Sequence, residues 1–455
     1  MQPQEVQTPD ELRQLIDRSN YTQIKVGVID LDGIMRGKYM SRDKFLSSLD
    51  SGFGFCDVVL GWDSNDGIYD QTKATGWHLG FGDTPVRILP SSARNLTLEK
   101  NMLFLQGEFS GKLESICPRG ALRRVLDRGK KLGFEVIAGV EYEFLVCDES
   151  HESIISKNYR SPKPLGFGNF GYSVIRNTVH SDFYRGLMDM CSDMAMPVEG
   201  FHEETGPGAL EIALTADTAL RAADNAAVFK TFSKAYAEKQ GKMISFMAKW
   251  SKEFSGQGGH IHLSLKNESG ASAFFNDKEP NKMSQEMKWF IGGMQKFLPE
   301  LTCLAAPTIN SFRRLVPGFW APTTTQWGID NRTVAIRAIP GSKKSTRIEF
   351  RLPGADANPY LATACALICG FQGIENKMEP DLPASGNGYV NKVPQNRILP
   401  RSLWDSAVLF RKSKLAEDWL GSEFVDHFAT TREWEEREFQ KYVTDWELKR
   451  YFEVI

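Results

Sequence analysis

The chain has 455 residues, a formal net charge of −2, 41% hydrophobic residues and 25% charged ones. That length admits two domains, and the composition excludes a disordered or fibrous chain. The near-neutral balance argues against a nucleic-acid footprint or a polybasic membrane patch. No apolar run is long enough for a bilayer, and the start MQPQEVQTPDELRQ has neither the basic nor the apolar part of a signal peptide. The expectation is a cytoplasmic protein. Seven scattered cysteines without a C-x-x-C pair fit a reduced compartment, and Cys365 and Cys369, four apart on a predicted helix, read as small core residues.

In chain order, Pro9-Asp10 followed by Leu12, Leu15 and Ile16 predicts a short capped helix. Ile24–Asp30 predicts a strand, Asp32-Gly33 a tight turn, and Ile34–Lys38 the return strand of a hairpin. Residues 51–95, rich in Gly and Asp, read as loops with short strands. The pattern changes near Pro118-Arg119 to alternating helices and strands. This sets a boundary at about residue 112, with a small β-rich unit over 1–112 and a larger one over 113–455. Predicted helices cover Ala121 to Leu132, Asp217 to about Gln240, Asn358 to about Asn376, and Trp434 to Phe452. In the last of these, Trp446, Leu448 and Tyr451 are expected to pack.

The chemistry begins at Gly139–Val146, which predicts a strand. Its alternation puts Glu141 and Glu143 on one face, where two carboxylates repel unless a cation lies between them. The same device recurs. Val198–Glu203 and Ala209–Ala213 predict a hairpin turning through Glu204–Gly208, which would bring Glu203 close to Glu211. In Gly256–Leu265, His260, His262 and Ser264 alternate with apolar residues, and Arg347, Glu349 and Arg351 do the same in Arg347–Arg351. Any one such strand is an ordinary polar face. Four together predict the inner face of a curved sheet holding two divalent ions, with arginines for an anionic substrate. Two nucleotide motifs fail on context. Gly166–Gly171 matches G-x-G-x-x-G but follows no strand, and Gly341–Thr346 lacks the upstream glycine of a P-loop.

These segments, in this order, resemble the glutamine synthetase family: Glu141-Tyr-Glu143, Glu203 to Glu211, Gly258–Leu265, Asn310–Gly318, Asn331-Arg332, and Arg347–Arg351 through Asn358-Pro-Tyr360. The resemblance implies an α+β fold, with a small N-terminal β-grasp-like domain and a large catalytic domain whose curved antiparallel sheet is flanked by helices. It implies ATP as a substrate and two or three Mg2+ or Mn2+ ions per site. Glu143, Glu203 and Glu211 would hold one ion, and Glu141, His260 and Glu349 another. Arg314, Arg351 and the backbone of Gly256 would bind glutamate. Arg332, Arg337, Lys344, Arg347, His262 and Ser264 would meet ATP. A dodecamer of two hexameric rings would place each site between neighbouring subunits.

The departures from the family pattern are informative. Where ammonia-using members carry a glutamate after the Arg314–Phe319 segment, this chain has Trp320, and the ammonium-binding Asp-Gly-Ser-Ser is replaced by Trp62-Asp63-Ser-Asn-Asp66. An indole removes a charge and a base and adds an apolar face, which suits an organic amine and can hold an alkylammonium. Asp63 and Asp66 are the candidate acids for the amine, and a polyamine's second ammonium would call for Asp63, Asp66 or Asp70. The expected activity is ligation of glutamate's γ-carboxylate to an organic primary amine. Ammonia-dependent glutamine synthesis is one alternative, and a non-catalytic structural or sensing role is another.

Overall fold

The computed structural model describes residues 1–455. The predicted hairpin forms from β1 (Gln23–Ile29) and β2 (Met35–Ser41). Its turn is held by Asp30, whose Oδ1 accepts the amides of Asp32 (3.0 Å) and Ile34 (2.8 Å). Gly33 supplies the left-handed φ of +79° that the turn requires. With β3 (Phe53–Cys56), β4 (Asp83–Ile88), β5 (Arg94–Asn95) and β6 (Leu103–Phe109), the hairpin makes a six-stranded sheet ordered β2-β1-β6-β4-β3, with β5 also on β6. The β1–β6 pair is parallel and the other pairs are antiparallel. Thr8 caps the helix Pro9–Asp17 that precedes the sheet.

The second sheet has nine strands: β7 (Phe134–Cys147), β8 (Val198–Glu203), β9 (Ala209–Leu214), β10 (Asp217–Thr218), β11 (Met243–Ser245), β12 (Gly259–Asn267), β13 (Trp327–Ile329), β14 (Ile336–Ile339) and β15 (Arg347–Phe350). The order is β13-β14-β15-β12-β7-β9-β8, with β10 and β11 also on β7. The expected antiparallel sheet is in fact mixed, because β13 and β14 run parallel at its edge.

Alternation along β7 divides the sheet's two sides. Val140, Tyr142 and Phe144 are buried against Phe229 of the helix Ala219–Lys239 and Phe246, while Glu141 and Glu143 point the other way. Behind β12 and β15, the helices Gln285–Ala305 and Pro359–Glu375 touch backbone to backbone. A side chain on Gly293 would strike the carbonyl of Cys369 at 2.1 Å. Cys365 and Cys369 are free and buried in this layer, as core residues. One core of 79 buried residues includes Val26 and Val28 of the first sheet together with Leu361 and Ile368 of the catalytic helices. The two sheets are therefore joined by shared apolar burial.

One helix prediction needs correcting. Trp434–Phe452 is not continuous: a helix over Ser422–Phe439 ends, and a new one covers Asp445–Tyr451. Thr444 and Glu447 form a reciprocal capping box, so the backbone restarts there rather than running through. Trp446, Leu448 and Tyr451 stay exposed instead of packing.

Candidate active site

Strand register decides which side chains face the front of the nine-stranded sheet. Arg337 stands opposite Glu349, Glu349 opposite His262, His260 opposite Glu141, and Glu143 opposite Glu211. Paired residues share a face, so these side chains form one polar field on an apolar sheet. Ser264 lies on the same face by alternation, beyond His262.

In the hairpin β8–β9 the register separates the two acids that were expected to pair. Glu211 faces His202, whereas Glu203 faces Leu210 and points into the core. Glu203 is 2% exposed, and its Oε1 accepts the Tyr184 hydroxyl at 2.9 Å. It is therefore removed from the proposed ligand set. Glu204 takes its place: Glu204, His202 and Glu211 bring one donor atom each within 4.8 Å of the others. The sequence carried the signal, because counting back across the turn from Glu211 to His202 puts Glu204, two residues on, on the same face.

A second group gathers one strand over. Donor atoms of Glu141, His262 and Glu349 lie within 4.8 Å of one another. His260 joins them, with Nδ1 3.5 Å from Glu349 Oε1 and 3.9 Å from Glu141 Oε2. Its Nε2 is 3.9 Å from Glu143 Oε1, which places His260 between the two groups. His262 Nε2 is 2.9 Å from Glu141 Oε1 but makes no aligned hydrogen bond. Side chains that converge without bonding one another are the arrangement a cation completes, and carboxylate with imidazole suits a divalent ion.

The electrostatics agree. Burial pushes the Glu143 carboxyl up, and the charges of Glu211 and Glu204 push it further, against His260 and Arg314. Burial also opposes ionisation of Glu141, yet the neighbouring His260 and His262 rings outweigh it and hold the group far below the usual range. Glu349 is lowered to about 2, because Arg351, His260 and His262 overcome its burial. His202 is raised to about 9, since hydrogen bonding to Glu211 and to the carbonyl of Glu203 exceeds the cost of burial.

Arginines complete the field. Arg337 donates from Nη1 to Glu349 (2.7 Å) and from Nε to Asp330 (3.0 Å). Arg347 Nε donates to His262 Nδ1 at 3.0 Å, and Lys344 lies exposed in the turn beside it. Arg314, 3% exposed, donates to the carbonyls of Leu352 (2.9 Å) and Arg351 (3.3 Å). Arg351 is buried against Glu349, and its Nε holds the carbonyl of Arg332 at 3.1 Å. The Arg332 guanidinium is exposed. Gly256 is needed for close approach, because a Cβ there would meet Ala248 O at 2.4 Å and Arg314 Cγ at 2.7 Å. The field can therefore hold divalent ions, anions and a carboxylate at once.

At the rim, Trp320 is 55% exposed and has a φ of +61°. A bulky residue in the left-handed region is strained and persists only where its surroundings impose it. Its backbone lies beside the Tyr389 hydroxyl, itself within reach of the charges of Arg351 and Arg314. Tyr172 packs on His202 with ring centroids 4.5 Å apart and tilted by 35°, and Lys249 lies over the Phe319 ring at 4.0 Å. The motifs did not single out these three. Asp63 and Asp66 are elsewhere in the chain: Asp63 Oδ1 accepts the amides of Asn65 and Gly67, and Asp66 pairs with Arg36 at 2.6 Å. No hydrogen bond or ion pair links either to Trp320.

Residues 115–451 match the model of the glutamine synthetase catalytic domain. Type-1 glutamine synthetase 2 of Dictyostelium discoideum is 43% identical over 95% of this chain and 84% of its own length. Glutamate–isopropylamine ligase of a Pseudomonas species is 34% identical over 98% of each. The solved structure of ligand-free GmaS superposes with a TM-score of 0.83 at 25% identity, covering 96% of this chain and 98% of that one. No helix is long and apolar enough to cross a membrane. The family acts on small molecules, uses ATP with divalent metals, and is typically oligomeric. The sheet register, the clustered carboxylates and these matches over most of the chain agree, and the chain belongs to the glutamine synthetase family of ATP-dependent ligases that join glutamate to ammonia or to amines.

Proposed function

We propose that this chain joins the γ-carboxylate of glutamate to an organic primary amine. The γ-phosphoryl group of ATP passes to the side-chain carboxylate of glutamate, ADP leaves, and the amine nitrogen attacks the activated carbonyl carbon. Phosphate departs with the oxygen it received, the amine loses a proton, and a γ-glutamylamide remains. The observation that carries this reading is Trp320: an exposed indole held in strained backbone beside Tyr389, at the position where ammonia users carry a carboxylate.

Glu143, Glu204 and Glu211 would hold one Mg2+ or Mn2+, and Glu141, His260 and Glu349 another. Such ions would neutralise phosphoryl oxygens. Arg314, Arg351 and Gly256 would orient glutamate, while Arg332, Arg337, Lys344, Arg347, His262 and Ser264 would face ATP. Cations fixed in a partly buried site stabilise a transferring phosphoryl group because they need no reorganisation. In a dodecamer of two hexameric rings, the loop bearing Asp63 would serve a neighbouring subunit's site. No hydrogen bond is made to Asp63 Oδ2, which suits it to take the proton.

The second reading is ammonia-dependent glutamine synthesis, favoured by the 43% identity to a protein named a glutamine synthetase. Phosphate release dependent on ATP and glutamate, measured across ammonium and a panel of organic amines, separates the two. Faster turnover with an organic amine supports the first reading, and ammonium outrunning every amine overturns it.

A further inference from the structure

We propose that the Tyr389 hydroxyl is a substrate ligand, donating a hydrogen bond to the glutamate carboxylate that Arg351 binds. This rests on the role given above to Arg314 and Arg351 in orienting glutamate, whichever nitrogen donor is used.

Tyr389 differs from buried tyrosines elsewhere in the chain. Tyr184 gives its proton to Glu203 (2.9 Å), Tyr236 to the carbonyl of Phe183 (3.1 Å) and Tyr360 to Asp224 (2.7 Å). The Tyr389 ring is only half-buried, yet its Oη is buried and makes no hydrogen bond. The polar end therefore points inward, where an unpaired hydroxyl is costly. The charged groups that act on it are Arg351 and Arg314, and the Trp320 amide lies beside it without an aligned bond. All three are donors. A hydroxyl among donors has lone pairs to receive them but nowhere to give its proton, so an anionic oxygen is the partner that fits. Burial keeps that proton in place, raising the pKa against the pull of the two arginines.

The position is fixed by the backbone around it. Asn387 caps the turn Gly388–Val390 by accepting the Tyr389 amide at 3.0 Å. Gly388 donates to Thr333 Oγ1 (2.8 Å) and accepts from Gln326 Nε2 (2.9 Å), and Asn331 Nδ2 holds the carbonyl of Gly386 (2.9 Å). A Cβ on Gly388 would meet Thr333 Oγ1 and Val334 Cγ1 at 3.0 Å each, so the turn lies directly against these residues. The same segment holds Arg351, whose amide donates to Ala335 O (2.9 Å) and whose Nε donates to Arg332 O (3.1 Å). Tyr389 and Arg351 are thus anchored to one short piece of backbone. Arg351 gives Nη1 to Glu349, and its Nη2 makes no hydrogen bond. A carboxylate accepts two donors at once, and Arg351 Nη2 with Tyr389 Oη can supply them.

A phosphate oxygen of ATP is the competing acceptor. Glutamate is favoured because the amine must reach its carboxylate, and Trp320, assigned to the amine, adjoins Tyr389 through its backbone.

The test is Tyr389→Phe, which keeps the ring and removes the hydroxyl. Phosphate release by the whole protein with Mg2+ is followed with glutamate and ATP varied in turn, using whichever of ammonium and the organic amines turns over fastest. We expect KM for glutamate to rise about tenfold or more, the scale for a hydrogen bond to a charged group, with KM for ATP within about twofold of the wild type. The melting temperature without substrate should stay level, since Oη bonds nothing there, and the rise that glutamate produces in it should shrink. An unchanged KM for glutamate, or a rise in KM for ATP instead, overturns the inference. So does a variant that melts markedly lower or fails to fold, because the hydroxyl would then belong to the fold. A wild-type protein that releases no glutamate-dependent phosphate with any nitrogen donor overturns the ligase reading itself, and this inference with it.

Discussion

From the first turn of the helix Pro118–Lys131, Arg119 grips Asp224 with two bonds (2.8 and 3.0 Å) and also reaches Glu108, which Arg87 and Arg123 hold as well. Tyr360 donates to the same Asp224 at 2.7 Å. On the front of the nine-stranded sheet, Glu204 and Glu211 cluster with His202, and Glu143 feels both of their charges against those of His260 and Arg314. Both regions bury carboxylates, and they differ in completeness. Burial opposes ionisation of Glu108, but its arginines more than compensate, so its pKa is lowered; that of Glu143 is raised. A buried charge with its partners in place serves the fold, and one without them is waiting for a ligand.

The hardest way to break this contrast is Arg119→Met. It strands Asp224 in the core, and removing one member of a buried pair costs about 3–5 kcal/mol, read as a lower denaturation midpoint. Equal stability in the variant would mean that this network is not holding the two sheets together. Glu204→Gln should do the opposite, leaving the melting temperature unchanged or higher by relieving repulsion. Its kcat should fall by on the order of 10²–10³-fold, the scale for losing one preorganised electrostatic group. Glu203→Gln is its control: the amide oxygen still accepts from Tyr184, so activity should largely remain. Were the Glu203 variant inactive and the Glu204 variant active, the assignment drawn from register would be wrong.

His427 sharpens the structural side. It is fully buried, its Nε2 donates to Leu60 O at 2.8 Å, and burial lowers its pKa to about 4 from 6.5. Below pH 6.5 the unfolded chain takes a proton that the folded one refuses, so stability falls as pH drops from 6.5 toward 4. The loss by pH 5 should be about 2 kcal/mol. Urea unfolding at pH 7 and pH 5 measures it, and His427→Gln should flatten the difference. The smallest effect belongs to the rim. Trp320→Glu should move the preference between butylamine and ammonium by about tenfold toward ammonium, consistent with a cation–π and apolar contribution of roughly 1–2 kcal/mol. An unchanged ratio of kcat/KM values would reduce Trp320 to a packing residue.

Much of the fold could be read from local pattern. The hairpin at Asp30–Ile34, the helix capped by Asn358, and the alternation of Glu141 with Glu143 are decided by residues within a few positions of each other, and the chain adopts them. The break before Thr444 was also local but was hidden by the apolar pattern running across it. The motif order pointed to the family because four polar-faced strands in sequence are too many for chance.

What the sequence determined by itself was therefore which strands carry charge and which side of each strand bears it. Only the tertiary structure decided how those strands line up. A single residue of register moves a side chain to the opposite face, and this is what sends Glu203 to Tyr184 and brings Glu204 to Glu211. The same holds for the rim, where Trp320 and Tyr389 come from segments far apart in the chain. Their proximity depends on how the sheet and its loops pack, which short-range pattern does not encode.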